Sequence, residues 1–187
     1  MFGDFNIGLE YAWWFPAGYA FITVIFMVFF GKKFTKKFFR FPAGRFKGKV
    51  PTLISSTVFS RGIMAYAIFL PFQIDTAWFW VGVSIFCICI ILSVIAMTNF
   101  ALTPQNQPVV KGLYRITRHP IQIMAIIMSI GIGIATLSWI IIVASLLLAV
   151  ISYPTFLAQE RSCLEMYGET YREYMNRTPR WIGIPKS

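Results

Sequence analysis

The run Trp78–Thr98, WFWVGVSIFCICIILSVIAMT, is 21 residues long and contains no charged residue. A hydrocarbon core about 30 Å thick takes roughly 20 residues of helix to cross, so this run is a membrane-spanning helix by length and composition. It sets the class of the whole chain, because 57% of the residues are apolar and only 13% are charged, a balance outside that of soluble domains. Four further apolar runs lie on either side, at Trp14–Phe30, Ser56–Phe72, Ile121–Thr136 and Ile140–Leu157. The expected fold is all-α, an integral membrane bundle of five transmembrane helices. Ile121–Thr136 is the shortest of the five, and Gly131 with Gly133 loosens it further. Ser138 and Trp139 leave almost no loop before the last span, so the final two helices form a tight hairpin. Short connections argue for a single membrane domain over residues 1–187, with three spans in 1–98 and a loop, the hairpin and a C-terminal helix in 99–187.

Basic residues orient the bundle. Lys32, Lys33, Lys36, Lys37, Arg40, Arg45, Lys47 and Lys49 fall between the first and second spans. Lys111, Arg115 and Arg118 fall between the third and fourth, and Arg161, Arg172, Arg177, Arg180 and Lys186 follow the fifth. Five crossings put all three groups on one side, so the expected topology is N-out and C-in. Asp4, Glu10 and Asp75 then lie on the other side. Asp4 and Glu10 precede the first apolar run without a basic leader, which reads as a retained signal anchor rather than a cleaved peptide. The chain is thus expected in a plasma, inner or endoplasmic reticulum membrane, with its polar segments in the cytoplasm.

The net charge of +10 is accounted for by topology and by attraction to anionic lipid headgroups. Nucleic-acid binding would need a recognisable soluble motif, and none is present. Cys87 and Cys89 are two apart in an apolar helix and point to different sides, and Cys163 stands alone. Neither a disulfide framework nor a metal spacing follows from them, so no metal is expected. Residues 31–51 mix Phe34, Phe38, Phe39, Phe41 and Phe46 with the basic residues, which suits a segment lying among headgroups. Arg61, inside the second span, has two readings: a guanidinium snorkelling to the interface, or one facing a polar cavity or bound anion.

The chemistry gathers at the junction Gly112-Leu113-Tyr114-Arg115-Ile116-Thr117-Arg118-His119-Pro120. His119 is the chain's only histidine. Pro104, Pro108 and Gly112 predict an ordered loop between the third and fourth spans. Glycine at 112 lets the amides around Val110-Lys111-Gly112 approach a ligand closely. Pro120 suits the first turn of the fourth helix, which places His119 and Arg118 at its N-terminal end, a favourable place for a carboxylate. After the last span, Glu160–Asn176 reads as a helix. Leu164, Tyr167, Tyr171 and Tyr174 share one face, read as packing on the bundle, and Glu165, Glu169 and Glu173 form an acidic ridge read as solvated. Glu160 sits at the end of the last span, nearest His119 if the hairpin helices pair. An acid there must be paired or serve a ligand.

The pattern Gly112-x-Tyr114-x-x-x-Arg118-His119-Pro120, a helical hairpin, Glu160, then Tyr167-Gly168-x-x-Tyr171-x-x-Tyr174 and Arg177-x-Pro179-Arg180 resembles the isoprenylcysteine carboxyl methyltransferase and phospholipid methyltransferase superfamily. The likeness covers roughly residues 105–185. It implies a membrane methyltransferase that uses S-adenosylmethionine and a lipophilic acceptor, either an isoprenylcysteine-type carboxylate, a phospholipid amine or a small thiol. By the resemblance, Val110, Lys111, Gly112, Leu113, Tyr114, His119, Gln122 and Glu160 hold the cofactor, while Arg118, Glu160 and Arg177 line the place where it meets the acceptor. The first three spans would shape the acceptor side. The chain departs from the pattern at Gln122, where a Tyr is usual, and at Gln159, the first of two positions usually acidic. Two alternatives remain: a membrane reductase using NADPH and related to sterol reductases, which share a similar Gly-x-Tyr…Arg-His-Pro element, and a non-catalytic member with a decayed site.

Overall fold

The structure, a computed structural model, describes residues 11–38 and 50–185, and all its regular elements are helices. In chain order they are α1 (Trp14–Phe38), α2 (Val50–Ala67), α3 (Ala77–Leu102), a 3-10 turn (Gly112–Arg115), α4 (Pro120–Ala135), α5 (Trp139–Tyr167) and α6 (Glu169–Arg177). Three of these are long and apolar enough to cross a membrane: Trp14–Lys32 within α1, α3 and α5. α4 is apolar but has 16 residues, about 24 Å at 1.5 Å per residue. Outward faces of the long helices are apolar, with Phe21, Val28 and Phe29 on α1 and Ile88 and Ile91 on α3 exposed. Such faces suit lipid rather than water. The expected headgroup segment 31–51 falls partly in α1, which runs as helix to Phe38, and its last two residues begin α2; residues 39–49 between them lie outside the described residues, as do Asp4, Glu10 and Lys186.

Elements end where local chemistry ends them. Thr76 caps α3 by accepting from the Phe79 amide at 3.3 Å, satisfying a donor that the helix cannot pair internally. Ser138 caps α5 by accepting from the Ile141 amide at 3.4 Å. Residues 136–138 alone join α4 to α5, the tight hairpin that the sequence predicts. α2 differs from its expected span, since it starts at Val50 and stops at Ala67 rather than Phe72. Pro71 and Phe72 instead lie in a connection where Tyr11 bridges to Pro71. The polar tail also differs from one continuous helix. Gly168 has φ +57° and separates α5 from α6, a left-handed position that glycine takes at little cost.

Glycines draw α4 into the centre of the bundle. A Cβ at Gly82 would collide with the Gly131 carbonyl and come within 2.5 Å of the Ala135 amide. A Cβ at Gly133 would lie 2.7 Å from Ile142 of α5. Gly131 and Gly133, read from the sequence as loosening α4, therefore let α3 and α5 close on it. Around that contact Ile132, Ala135, Met128 and Ile141 are all buried. The consequence for the site is positional, because a rigid α4–α5 hairpin fixes His119 at one helix start relative to Glu160, six turns along the other.

Candidate functional site

The first turn of α4 and the far end of α5 bring His119 and Glu160 together. His119 Nε2 lies 3.3 Å from Glu160 Oε1. With a carboxylate as acceptor, Nε2 carries the proton. The imidazole is stacked on Phe156 at 4.3 Å and 10°, and His119 and Glu160 are 4% and 3% exposed. Burial lowers the His119 pKa from its ordinary value, and the Glu160 hydrogen bond and charge oppose that shift. The ring is therefore a neutral donor at neutral pH.

Glu160 has two further donors. Arg118 Nη1 donates to Oε1 at 3.0 Å. Arg180 grips both oxygens, Nε to Oε1 at 2.9 Å and Nη2 to Oε2 at 2.7 Å. This fork is the strong, geometrically specific form of a guanidinium–carboxylate pair. A carboxylate buried this deeply would be costly without such partners. The cluster nonetheless keeps one cation in excess, two guanidiniums against one carboxylate with His119 neutral.

The two arginines differ in how they are held. Arg118 also donates from Nε to the Thr178 carbonyl at 2.7 Å and from Nη2 to the Met175 carbonyl at 2.8 Å. These carbonyls sit at the C-terminal end of α6, where a helix leaves acceptors unpaired. Arg118 is thus a staple between α4, α5 and α6. Arg180 reaches outward instead, with Nη1 donating to the Tyr153 hydroxyl at 3.0 Å. Its segment folds back over the junction through Arg118 N–H to Pro179 O (3.2 Å), Thr117 Oγ1 to Arg180 O (3.0 Å) and Gly183 N–H to Ile116 O (3.1 Å). Trp181 then meets Phe156 edge-on at 5.3 Å.

The remaining expected site residues divide into two groups. Gly112 stands at φ +62°, where a Cβ would collide with the Asn99 side chain. It opens the 3-10 turn whose Tyr114 is buried, and Tyr114 O accepts from the Tyr174 hydroxyl at 2.7 Å. Tyr171 and Tyr174 are buried with Tyr114 in one cluster, so the tyrosine face packs α6 onto this loop. Val110 and Lys111 are exposed and Leu113 is half-buried, on the loop's outer side. Gln122 donates to the Gln159 side-chain oxygen at 3.0 Å. The two positions that depart from the family pattern thus touch each other, one turn from the ionic cluster. Arg177 is exposed at the end of α6 and makes none of the cluster's hydrogen bonds. Arg61 is exposed on α2 and takes no part either. Among the described residues no group of His, Cys, Asp and Glu could hold a metal ion.

The sequence profile of the phospholipid methyltransferase family matches residues 76–170, slightly more than half of the chain. The chain belongs to the phospholipid methyltransferase family. The match runs from the cap of α3 to the start of α6, so it contains Arg118, His119, Gln122 and Glu160 and stops before Arg177 and Arg180. Membership makes this a membrane protein of methyltransferase type, and gives the reductase and decayed-site alternatives no support. No curated protein and no solved structure matches the chain.

Proposed function

We propose that the chain is an S-adenosylmethionine-dependent methyltransferase with five membrane-crossing helices, N-out and C-in, acting from the cytoplasmic face on a lipophilic acceptor. One observation carries this reading: a buried carboxylate, Glu160, ringed by donors from the α4 start and the C-terminal segment, at the place where a membrane hairpin meets a glycine-bearing loop. The donor set suits a ligand that is itself a zwitterion. Among the described residues Glu160 is the one buried acid able to take an ammonium, while the excess guanidinium charge and the α4 N-terminus favour a carboxylate. His119 donates beside them, and the loop Val110-Lys111-Gly112-Leu113-Tyr114 offers backbone amides at its outer edge. Gln122, paired with Gln159, presents a neutral amide to the same region.

When bound, S-adenosylmethionine supplies a methyl group made electrophilic by its sulfonium. The protein's share is alignment and the exclusion of water. Alignment alone can contribute roughly 7–11 kcal/mol of a barrier. Arg118 holds Glu160 and the end of α6 in fixed relation, so it acts on geometry. Arg177, on the exposed turn of α6, is placed to meet an anionic acceptor group only from outside the cluster.

The acceptor follows from what Glu160 is free to do. A carboxylate or thiolate attacks without losing a proton, whereas a protonated amine needs a base. Glu160 already accepts from His119, Arg118 and Arg180, so it is a poor base as arranged. An acceptor that arrives anionic, the isoprenylcysteine-type carboxylate or a small apolar thiolate, fits better than a phospholipid amine. The test supplies methyl-labelled S-adenosylmethionine to the protein in lipid nanodiscs with each acceptor in turn. Label should pass to the carboxylate or thiol at least tenfold faster than to phosphatidylethanolamine. The reverse order would remove the argument from Glu160, and no transfer to any of the three would remove the reading itself.

A further inference from the structure

Glu160 accepts four hydrogen bonds. Oε1 accepts from Arg118, His119 and Arg180, and Oε2 accepts from Arg180. A ligand ammonium that is to sit against both oxygens of this carboxylate competes with its donors, and the three are not equally displaceable. Arg118 is tied by two more hydrogen bonds to the end of α6, and its side chain is 12% exposed. His119 is clamped on Phe156 at the rigid start of α4. Arg180 lies on the segment after α6, has the most exposed side chain of the three at 26%, and already has an outward partner in Tyr153. The Tyr153 ring also lies 5.3 Å from the guanidinium carbon, within reach of a cation–π contact. Arg180 has somewhere to go.

We propose that Arg180 is an exchange residue, outside the family match, that holds Glu160 closed and trades partners with an amino-acid-type zwitterion: the ligand's ammonium takes Glu160 and its carboxylate takes Arg180. The inference rests on the proposed function, which supplies such a zwitterion in S-adenosylmethionine. The exchange replaces one guanidinium–carboxylate pair by two ion pairs, so no buried charge is left single at its end. The ligand's ammonium stands where Arg180 stood, its carboxylate gives the freed guanidinium a new partner, and the net charge of the ionic groups is unchanged. Pro179 and the three hydrogen bonds to residues 116–118 anchor the segment at its backbone, so the side chain can swing while the chain stays in place.

The test measures association rate and affinity in nanodiscs for two probes, S-adenosylmethionine and its decarboxylated analogue, which keeps the ammonium and lacks the carboxylate. Wild type should prefer the carboxylate-bearing probe by at least tenfold. In Arg180→Gln the preference should collapse to about onefold, while the decarboxylated probe associates at least fivefold faster because Glu160 is no longer held. Arg180→Lys keeps the charge for folding but loses the fork, so it should retain a preference of a few fold and still associate faster than wild type. If Arg180→Gln does not fold, the Lys variant decides, and wild-type rates and preference in it would overturn the exchange. A folded Gln variant with unchanged preference would overturn it as well, leaving the methyltransferase reading intact. Binding of neither probe to wild type would overturn both.

Discussion

Residues 11–67 and residues 99–185 bury different things. In the first region α1 and α2 carry apolar side chains to the core and to the outside alike, with Phe15, Phe26, Ile63 and Ala67 buried and Phe21, Val28, Phe29 and Val58 exposed. Its one described membrane-depth charge, Arg61, is exposed. In the second region Thr117, His119, Glu160, Ser162 and Thr178 are all buried, each in a hydrogen bond. Apolar contact is non-directional and tolerates many sequences, whereas a buried ionic cluster works only if every member is satisfied. The family profile covers α3, the hairpin and most of the second region, and leaves out α1 and α2. On the proposed function, the C-terminal region would fix the site and the N-terminal helices would supply an apolar wall.

The comparison breaks most easily at Glu160. Glu160→Gln would leave Arg118 and Arg180 with uncompensated buried charge, so it should cost about 3–5 kcal/mol of stability and abolish measurable methyl transfer. Chemical unfolding in detergent checks the first part, and a loss under 1 kcal/mol would mean that the cluster is not what holds the junction. Tyr174→Phe should be milder. It removes the hydrogen bond to Tyr114 O and should cost about 0.5–1.5 kcal/mol, with faster amide exchange across the 3-10 turn and α6. Unchanged exchange there would separate α6 from the loop. Arg61→Gln, in the other region, should change stability by no more than about 0.5 kcal/mol and leave cofactor affinity as it was. A fall in affinity would carry the site into the N-terminal helices and undo the division.

Much of the second region is legible in the sequence. Pro120 announces a helix start, Ser138 and Trp139 leave almost no loop, and the two apolar runs make a hairpin, and together they predict the meeting of His119 with Glu160. The identity of the second arginine on Glu160 is not legible. Arg177 and Arg180 are three residues apart, both basic, and both in the same motif. Which one turns inward depends on where α6 ends and how the chain folds back after Pro179, and an extended segment leaves no periodic trace. The Gln122–Gln159 contact is hidden for a related reason, because it needs the relative rotation of α4 and α5 set by the glycine contacts. Gly168 was readable as a break, since a glycine after a helical run is a common stop, but the tyrosine periodicity running through it masks the signal.

The central claim is that the buried cluster at the α4 start is a cofactor site and not only a structural knot. Titrating S-adenosylmethionine by calorimetry into the protein in lipid nanodiscs, beside His119→Ala, tests it most directly. The account predicts saturable binding to wild type, weakened in the variant by about 1.5–3 kcal/mol, the size of a hydrogen bond to a charged group. Equal affinity in a folded His119→Ala variant, or no binding to wild type, would contradict it.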